Sequence, residues 1–354
     1  MKFRRFIYAL LIIMILLTGC RSSGLNIQNE IEIEDAFGRI VAFSGKPQRI
    51  IIAGKQTPML ANFFYLFDSA SEKIFAIENR TQRANQFLTL IDPNLESKLI
   101  LEKGAGGEQI APLNPDAVIL KTSMRESVGN QLEQIGIPVI YVEFESIDQI
   151  YRDVRMIAEL LKESSRGEEI ISIYEEFYSE ISNEIDGLPN ESVLLVEIVD
   201  DAGGYTISVP AENWLQTDLV RRAEGNPVWI DSVLGGGWSE INFEQISVWN
   251  PAHIFVVNYQ GNAPTIVEKL RTDELWKNLN ATKNNHIVAF PNDYISWDQP
   301  DPRWILGYSF LANRLHPEAI SDEILDEKII TFYKLFYGLD EVFIKENILT
   351  MIKQ

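Results

Sequence analysis

Thirteen residues near the middle of the chain return once, 136 positions later. Glu108-Gln109-Ile110-Ala111-Pro112-Leu113-Asn114-Pro115-Asp116-Ala117-Val118-Ile119-Leu120 is echoed by Glu244-Gln245-Ile246-Ser247-Val248-Trp249-Asn250-Pro251-Ala252-His253-Ile254-Phe255-Val256. Five positions are identical, and four more exchange one apolar residue for another. A solenoid needs three or more copies at a period of roughly 20–50 residues. A single echo at this distance describes two similar lobes instead. Two lobes enclose a cleft, and clefts are where small ligands bind.

The beginning of the chain predicts where those lobes sit. Lys2, Arg4 and Arg5 precede an apolar run from Phe6 to Leu17, followed by Leu17-Thr18-Gly19-Cys20. This is the order of a secretory signal, residues 1–19, and the run is short of the roughly 20 apolar residues of a membrane span. The Leu-Thr-Gly-Cys ending resembles a bacterial lipobox, which makes Cys20, the one cysteine of the chain, the expected lipidation site. Several acyl chains would hold such a protein at a membrane surface. Residues 20–30 read as a polar tether, and the remainder as an extracytoplasmic body, on the outer face of the cell membrane or in a periplasm.

The formal charge is −20, and removal of Lys2, Arg4 and Arg5 with the signal takes it to −23. A body this acidic does not favour phosphate backbones, which argues against nucleic acid as a partner. Short apolar, β-rich runs occur at Ile50–Ala53, Ile74–Ile77, Ala117–Leu120, Val139–Val142, Val193–Val199, Ile254–Val257 and Ile287–Phe290. Helical spacing lies between them, as in Ile147, Ile150, Tyr151, Val154, Ile157, Ala158 and Leu161. Strand alternating with helix predicts an α/β fold with mostly parallel sheets flanked by helices.

From Ser165 to Gly187 the apolar residues keep helical spacing with glutamates between them, and Gly187 and Pro189 stop the pattern. This stretch lies between the two echoed segments. The expected organisation is therefore an N-terminal lobe at 31–164, one long interlobe helix at 165–188 and a C-terminal lobe at 189–354. Within each echo, Glu-Gln-Ile starts a short helix, and the residue before proline, Asn114 or Asn250, ends it. Glu108 and Glu244 then hold equivalent places, where the helix macrodipole alone would favour a carboxylate.

Asp35-Ala36-Phe37-Gly38-Arg39-Ile40-Val41 with Pro47-Gln48-Arg49-Ile50-Ile51, the two echoed segments, and Asn292 to Leu306 with Pro302-Arg303 at its centre follow one another in a familiar order. In that order and spacing the chain resembles the bacterial substrate-binding lipoproteins of ABC importers for iron-siderophores, haem and vitamin B12. The resemblance implies a class III periplasmic-binding-protein-like fold, monomeric, whose single long helix limits hinge motion. It implies an ABC permease dimer with its ATPase as partner. It also implies that Glu108 and Glu244, with Glu240 as a competitor for the second role, meet arginines of the permease.

The ligand is expected where loops at the strand C-terminal ends of both lobes face each other. N-lobe candidates are Lys55 and Gln56, Arg80 and Arg83, and Lys121 to Arg125, of which Arg125 is the first choice. C-lobe candidates are Tyr205, Trp214, Trp238, Tyr259, Tyr294, Trp297 and Arg303. Aromatics offer flat rigid area, and arginine grips a carboxylate or oxyanion with a planar fork. Polar residues and prolines around Tyr294 and Trp297 place both in a cleft loop, while Arg303 serves the ligand or pairs within its own lobe. The three histidines, His253, His286 and His316, are far apart in sequence, which argues against a site for bare zinc or copper. No protein-held cofactor or metal is expected. The aromatic count favours a metal chelate, namely a ferric siderophore, haem or corrinoid, over a small oxyanion such as molybdate.

Two other classes remain. An enzyme is disfavoured, because no Gly-x-Ser-x-Gly elbow is present and Gly235-Gly236-Gly237 lacks the Gly-Lys-Ser/Thr of a phosphate loop. A ligand-sensing lipoprotein would share the lobes and the cleft.

Overall fold

The structure is a computed structural model that describes residues 31–79, 84–201, 204–233 and 235–353. The signal segment, Cys20, the tether, Arg80 and Arg83 lie outside the described residues. Among the described residues, no helix is long and apolar enough to cross a membrane.

Strands β1 (Ile31–Glu34) and β2 (Ile40–Phe43) form an antiparallel hairpin. The N-terminal sheet follows: β3 (Ile50–Ile52), β4 (Ile74–Glu78), β5 (Leu99–Leu101), β6 (Ala117–Lys121) and β7 (Val139–Val142). Its order is β5-β4-β3-β6-β7 and every pairing is parallel. Central β6 is buried along its whole length. That burial is why it reads as a continuous apolar run rather than an alternating one. One sheet face packs on the main core, and the other holds Ile51, Val118, Leu120, Val139 and Tyr141 in a second cluster.

The second sheet contains β8 (Glu191–Asp201), β9 (Gly204–Val209), β10 (Gly225–Pro227), β11 (Ser239–Ile241), β12 (His253–Val257) and β13 (Ile287–Ala289). Its path is β11-β9-β8-β12-β13, with β10 also on β8. Here the expectation of parallel pairing needs a correction. β9 runs antiparallel to β8, and β11 antiparallel to β9, so this sheet is mixed.

The helix Ser164–Ile185 lies between the two sheets in sequence and buries Ile170, Ile173, Tyr174, Phe177, Ile181 and Ile185. At 1.5 Å per residue its length is about 33 Å. The preceding helix, Ile147–Leu161, is capped by Ser146, whose side chain accepts from Gln149 N, and ends at left-handed Lys162. The two helices approach so closely that a Cβ on Gly167 would lie 2.5 Å from that of Ala158. Arg166 clasps both lobes: Nε donates to Leu66 O at 3.0 Å and a terminal nitrogen to Leu335 O at 3.2 Å. Tyr174 adds a buried hydrogen bond of 3.0 Å to Pro302 O.

The lobes also meet directly. Asn62, on the N-lobe helix Thr57–Phe64, donates to Asp301 Oδ2 at 2.6 Å. Phe87, on the helix Ala84–Ile91, stacks 4.0 Å under the Arg303 guanidinium and 5.5 Å from the Tyr294 ring. Met59 and Ile295 form a small apolar contact of their own.

Candidate functional site

At the C-terminal end of β3 the chain turns through Gly54 and Gln56, both with positive φ, before the helix Thr57–Phe64. Buried Glu78, at the end of β4, accepts from Gly54 N at 2.6 Å and Gly104 N at 2.8 Å, which fixes two loops at this edge of the N-lobe. Lys55 is exposed there, and Gln56 carries a buried Oε1 without a hydrogen-bond partner.

The other N-lobe cations have work elsewhere. Lys121 is buried and donates to Glu143 O and to Glu145 Oε1, the latter at 2.7 Å. Arg125 lies 4.7 Å over the Phe37 ring and 6.0 Å from Tyr141, against the β1–β2 hairpin at the β7 edge. Its guanidinium packs on that edge and stays partly exposed.

The C-lobe candidates divide into two groups. Trp214, Trp238 and Tyr259 come together from three separate segments. Trp214 meets Trp238 at 5.8 Å and 82°, and Trp238 meets Tyr259 at 6.1 Å and 66°. All three rings stay partly exposed and form a corner of steep aromatic walls. The Tyr259 hydroxyl donates to Asp298 Oδ2 at 2.8 Å. Ser296 also donates to Asp298, and Gln216 Nε2 approaches it at 3.4 Å. Burial pushes the Asp298 carboxyl above its ordinary range despite these donors. Burial, then the neighbouring Asp298, pushes Glu197 up as well. Burial and the same carboxylates hold the Tyr259 hydroxyl well above 10.

Trp297 and Arg303 are buried where the sequence predicts cleft-lining side chains. Trp297 is 0% exposed, and Gly307 packs so tightly that an added Cβ would sit 2.3 Å from the Trp297 carbonyl oxygen. Arg303 is also 0% exposed and pairs with Asp293 at 3.1 Å and Asp301 at 2.8 Å, with Tyr333 Oη 2.8 Å away. In this arrangement it pairs within its own lobe, and its second terminal nitrogen is buried without a hydrogen-bond partner. Tyr294 remains partly exposed at the lobe junction. Tyr205 lies across from Asp200 near the end of the β8–β9 hairpin and makes no ring contact among the described residues.

Sequence reasoning missed Glu197, Asp298, Gln216 and Asn62. Glu197 was detectable as the one charge inside the apolar run Val193–Val199. Asp298 lies in the polar loop already singled out for its aromatics.

Glu108 and Glu244 are both exposed in the first turn of their helices, Gly107–Ile110 and Phe243–Trp249. Both helical segments end at a left-handed asparagine, Asn114 (φ 47) and Asn250 (φ 39), directly before proline. Asparagine tolerates that conformation better than other non-glycine residues. Neither glutamate has an ion pair among the described residues. Glu240, at the middle of β11, is exposed too. Far from the cleft loops, His253 stacks on His286 at 4.3 Å, so two of the three histidines are neighbours in space.

Residues 92–294, more than half of the chain, match the family described as periplasmic binding protein. The chain belongs to the periplasmic binding protein family. Members of this family are extracytoplasmic solute-binding components of ABC importers, not enzymes. This periplasmic binding protein is 21% identical over 357 residues to the molybdate-binding protein MolA of Haemophilus influenzae, covering 91% of this chain and 95% of MolA. It is 24% identical over 214 residues to the vitamin B12-binding protein of Salmonella typhimurium, covering 60% of this chain and 74% of that protein. Its fold is shared with a solute binding protein from Veillonella parvula at a TM-score of 0.72, with 20% identity, covering 92% of this chain and 99% of that one. Molybdate-bound MolA superposes at a TM-score of 0.71 with 18% identity, covering 87% of this chain and 98% of MolA. These likenesses establish the class III periplasmic-binding-protein architecture.

Proposed function

We propose that this protein is lipid-anchored through Cys20, captures a metal chelate between its lobes and delivers it to an ABC permease dimer with its ATPase. One observation carries the ligand class: the partly exposed corner of Trp214, Trp238 and Tyr259, with Tyr259 just past the C-terminal end of β12. Such walls suit the flat or greasy periphery of a siderophore, haem or corrinoid. A chelate brings its own metal ligands, so the site needs none.

Docking is assigned to Glu108 and Glu244, which occupy equivalent first-turn positions on the two lobes. Charge pairs of this sort set register and encounter rate more than affinity. The double variant Glu108→Ala/Glu244→Ala is expected to keep ligand affinity and lose transport. Unchanged transport would refute the docking role. Cys20→Ala is expected to release the protein from membranes.

The similarity to MolA over 91% of the chain supports a second reading, a molybdate-type oxyanion. Thermal unfolding of the tether-free body separates the two. The panel is cobalamin, haem, a ferric hydroxamate, a ferric catecholate and molybdate. A ligand at 100 times its Kd adds about 2.7 kcal/mol of stability. Protection by one chelate supports the first reading, and protection by molybdate alone replaces it with the second.

A further inference from the structure

Glu197 occupies an unusual position. It projects from β8 inside a buried strand, paired across from Ser208 on one side and Val257 on the other. Its carboxylate has no ion pair and no hydrogen bond among the described residues. Asp298, beside it, is completely buried. Tyr259 links the two carboxylates: its hydroxyl donates to Asp298 at 2.8 Å, and Glu197 lies opposite Val257, two residues before Tyr259, close enough for both carboxylates to act on that hydroxyl. Basic side chains of the helices Leu215–Arg222 and Ala263–Thr272, which pack on β8, are engaged elsewhere: Lys269 with Asp200, Arg271 with Glu268, Arg222 with Asp218 and Arg221 with Glu212. Two neighbouring carboxylates without a cation destabilise the empty protein.

A second observation points to an occupant. Gln216 is 4% exposed, yet its Oε1 has no partner while its Nε2 faces Asp298. The cluster therefore holds a buried acceptor without a donor next to a carboxylate without a counter-ion. A bare metal ion does not complete it. Asp298 is already engaged by Ser296, Tyr259 and Gln216, which leaves Glu197 as its one open carboxylate, and hard divalent ions take six or more oxygens. An organic cation does complete it, because aromatic faces and carboxylates both attract a desolvated ammonium group.

We propose that the corner of Trp214, Trp238 and Tyr259, with Glu197 and Asp298, is a box for an ammonium group carried by the ligand. The inference rests on the interlobe capture site of the preceding section and specifies its C-lobe half. It makes the cargo a chelate with a protonated amine at its periphery, and it makes Glu197 the specificity-determining residue.

The test titrates the tether-free body, read by tryptophan fluorescence, with three probes. They are ferrioxamine B, which carries a free ammonium, its N-acetylated form, which does not, and tetramethylammonium without iron. The box predicts that ferrioxamine B binds at least about tenfold more tightly than the acetylated form. Glu197→Gln should abolish that preference and raise the melting temperature of the empty protein, a gain that general misfolding would not produce. Trp238→Ala should weaken tetramethylammonium binding with the fold intact by circular dichroism. Equal binding of the two ferrioxamines overturns the box and leaves the chelate reading standing. Binding of tetramethylammonium with neither ferrioxamine supports the box and counts against a hydroxamate cargo. Binding of none of the three overturns the box.

Discussion

Arg303 is the position where the structure makes its sharpest energetic claim. Its guanidinium, Asp293 and Asp301 are all 0% exposed, and the group ties the C-lobe loop to Asn62 and Phe87 of the N-lobe. Arg303→Met keeps most of the side-chain volume and removes the charge. Two carboxylates then remain buried without their cation, a defect worth about 3–5 kcal/mol. Unfolding entropy of about 2.1 cal/mol/K per residue over roughly 320 residues converts this to a melting-temperature drop of about 4–7 °C. The pH dependence has a definite sign. Burial already raises Asp301, and Arg303 is the largest opposing influence. Without it the folded state binds protons more readily than the unfolded chain. Stability of the variant therefore falls as pH rises, and its deficit is largest near neutrality and shrinks toward pH 4–5. Calorimetry of wild type and variant between about pH 4.5 and 8 reads both effects. A deficit below about 1 kcal/mol at neutral pH, or one independent of pH, would refute the description of Arg303 as a buried counter-ion.

Three further outcomes are expected. Gly307→Ala places a methyl 2.3 Å from the Trp297 carbonyl oxygen and should cost about 1–3 kcal/mol in urea unfolding. Burial, with His286 and His316 as further causes, lowers His253 to about 4 from 6.5. Its contribution is therefore present above pH 6.5 and lost as pH falls toward 4, because the unfolded chain takes the proton first. His253→Phe should flatten that part of the acid melting profile relative to wild type. Asn250→Val forces a β-branched residue into φ 39, ψ 58 and should cost about 1–2 kcal/mol more than Asn250→Gly, since both lose the side-chain acceptor of Asn280 N and only Val is strained.

Much of the architecture was legible because it rests on local patterns. Every apolar run read as a strand is one, and the helix Ile147–Leu161 has the bounds its spacing implied. The antiparallel strands of the second sheet were missed for a physical reason. β11 is three residues long and pairs with β9 from a distant segment, a register that no periodicity records, whereas β8 and β9 form a hairpin that closes at Asp201 opposite Gly204, where Gly203-Gly204 in the sequence was a turn signal that went unread. The aromatic corner was legible by residue type alone. Trp297 and Arg303 misled because polar, proline-rich sequence usually marks an exposed loop. Here many of the polar groups turn inward onto one another: Asp293 caps Tyr294 N and pairs with Arg303, and Asp301 holds Asn62, although Arg303 Nη2 and Asn62 Oδ1 stay buried without a partner. Composition reports how much polarity a segment carries, but not whether that polarity is spent on water or on its own neighbours.

The helix Ser164–Ile185 is an unbroken rod, and Arg166 near its start grips a carbonyl oxygen on either side. Backbone held by hydrogen bonds at every turn does not crease in the middle without losing several of them at once. Under the docking role proposed above, such a rod would hold Glu108 and Glu244 like the jaws of a caliper locked at one reading. A transporter gripping those two points would then meet the same gauge whether the gap is full or empty. News of the cargo would then travel as a slight tilt of the jaws, or as the touch of the cargo itself.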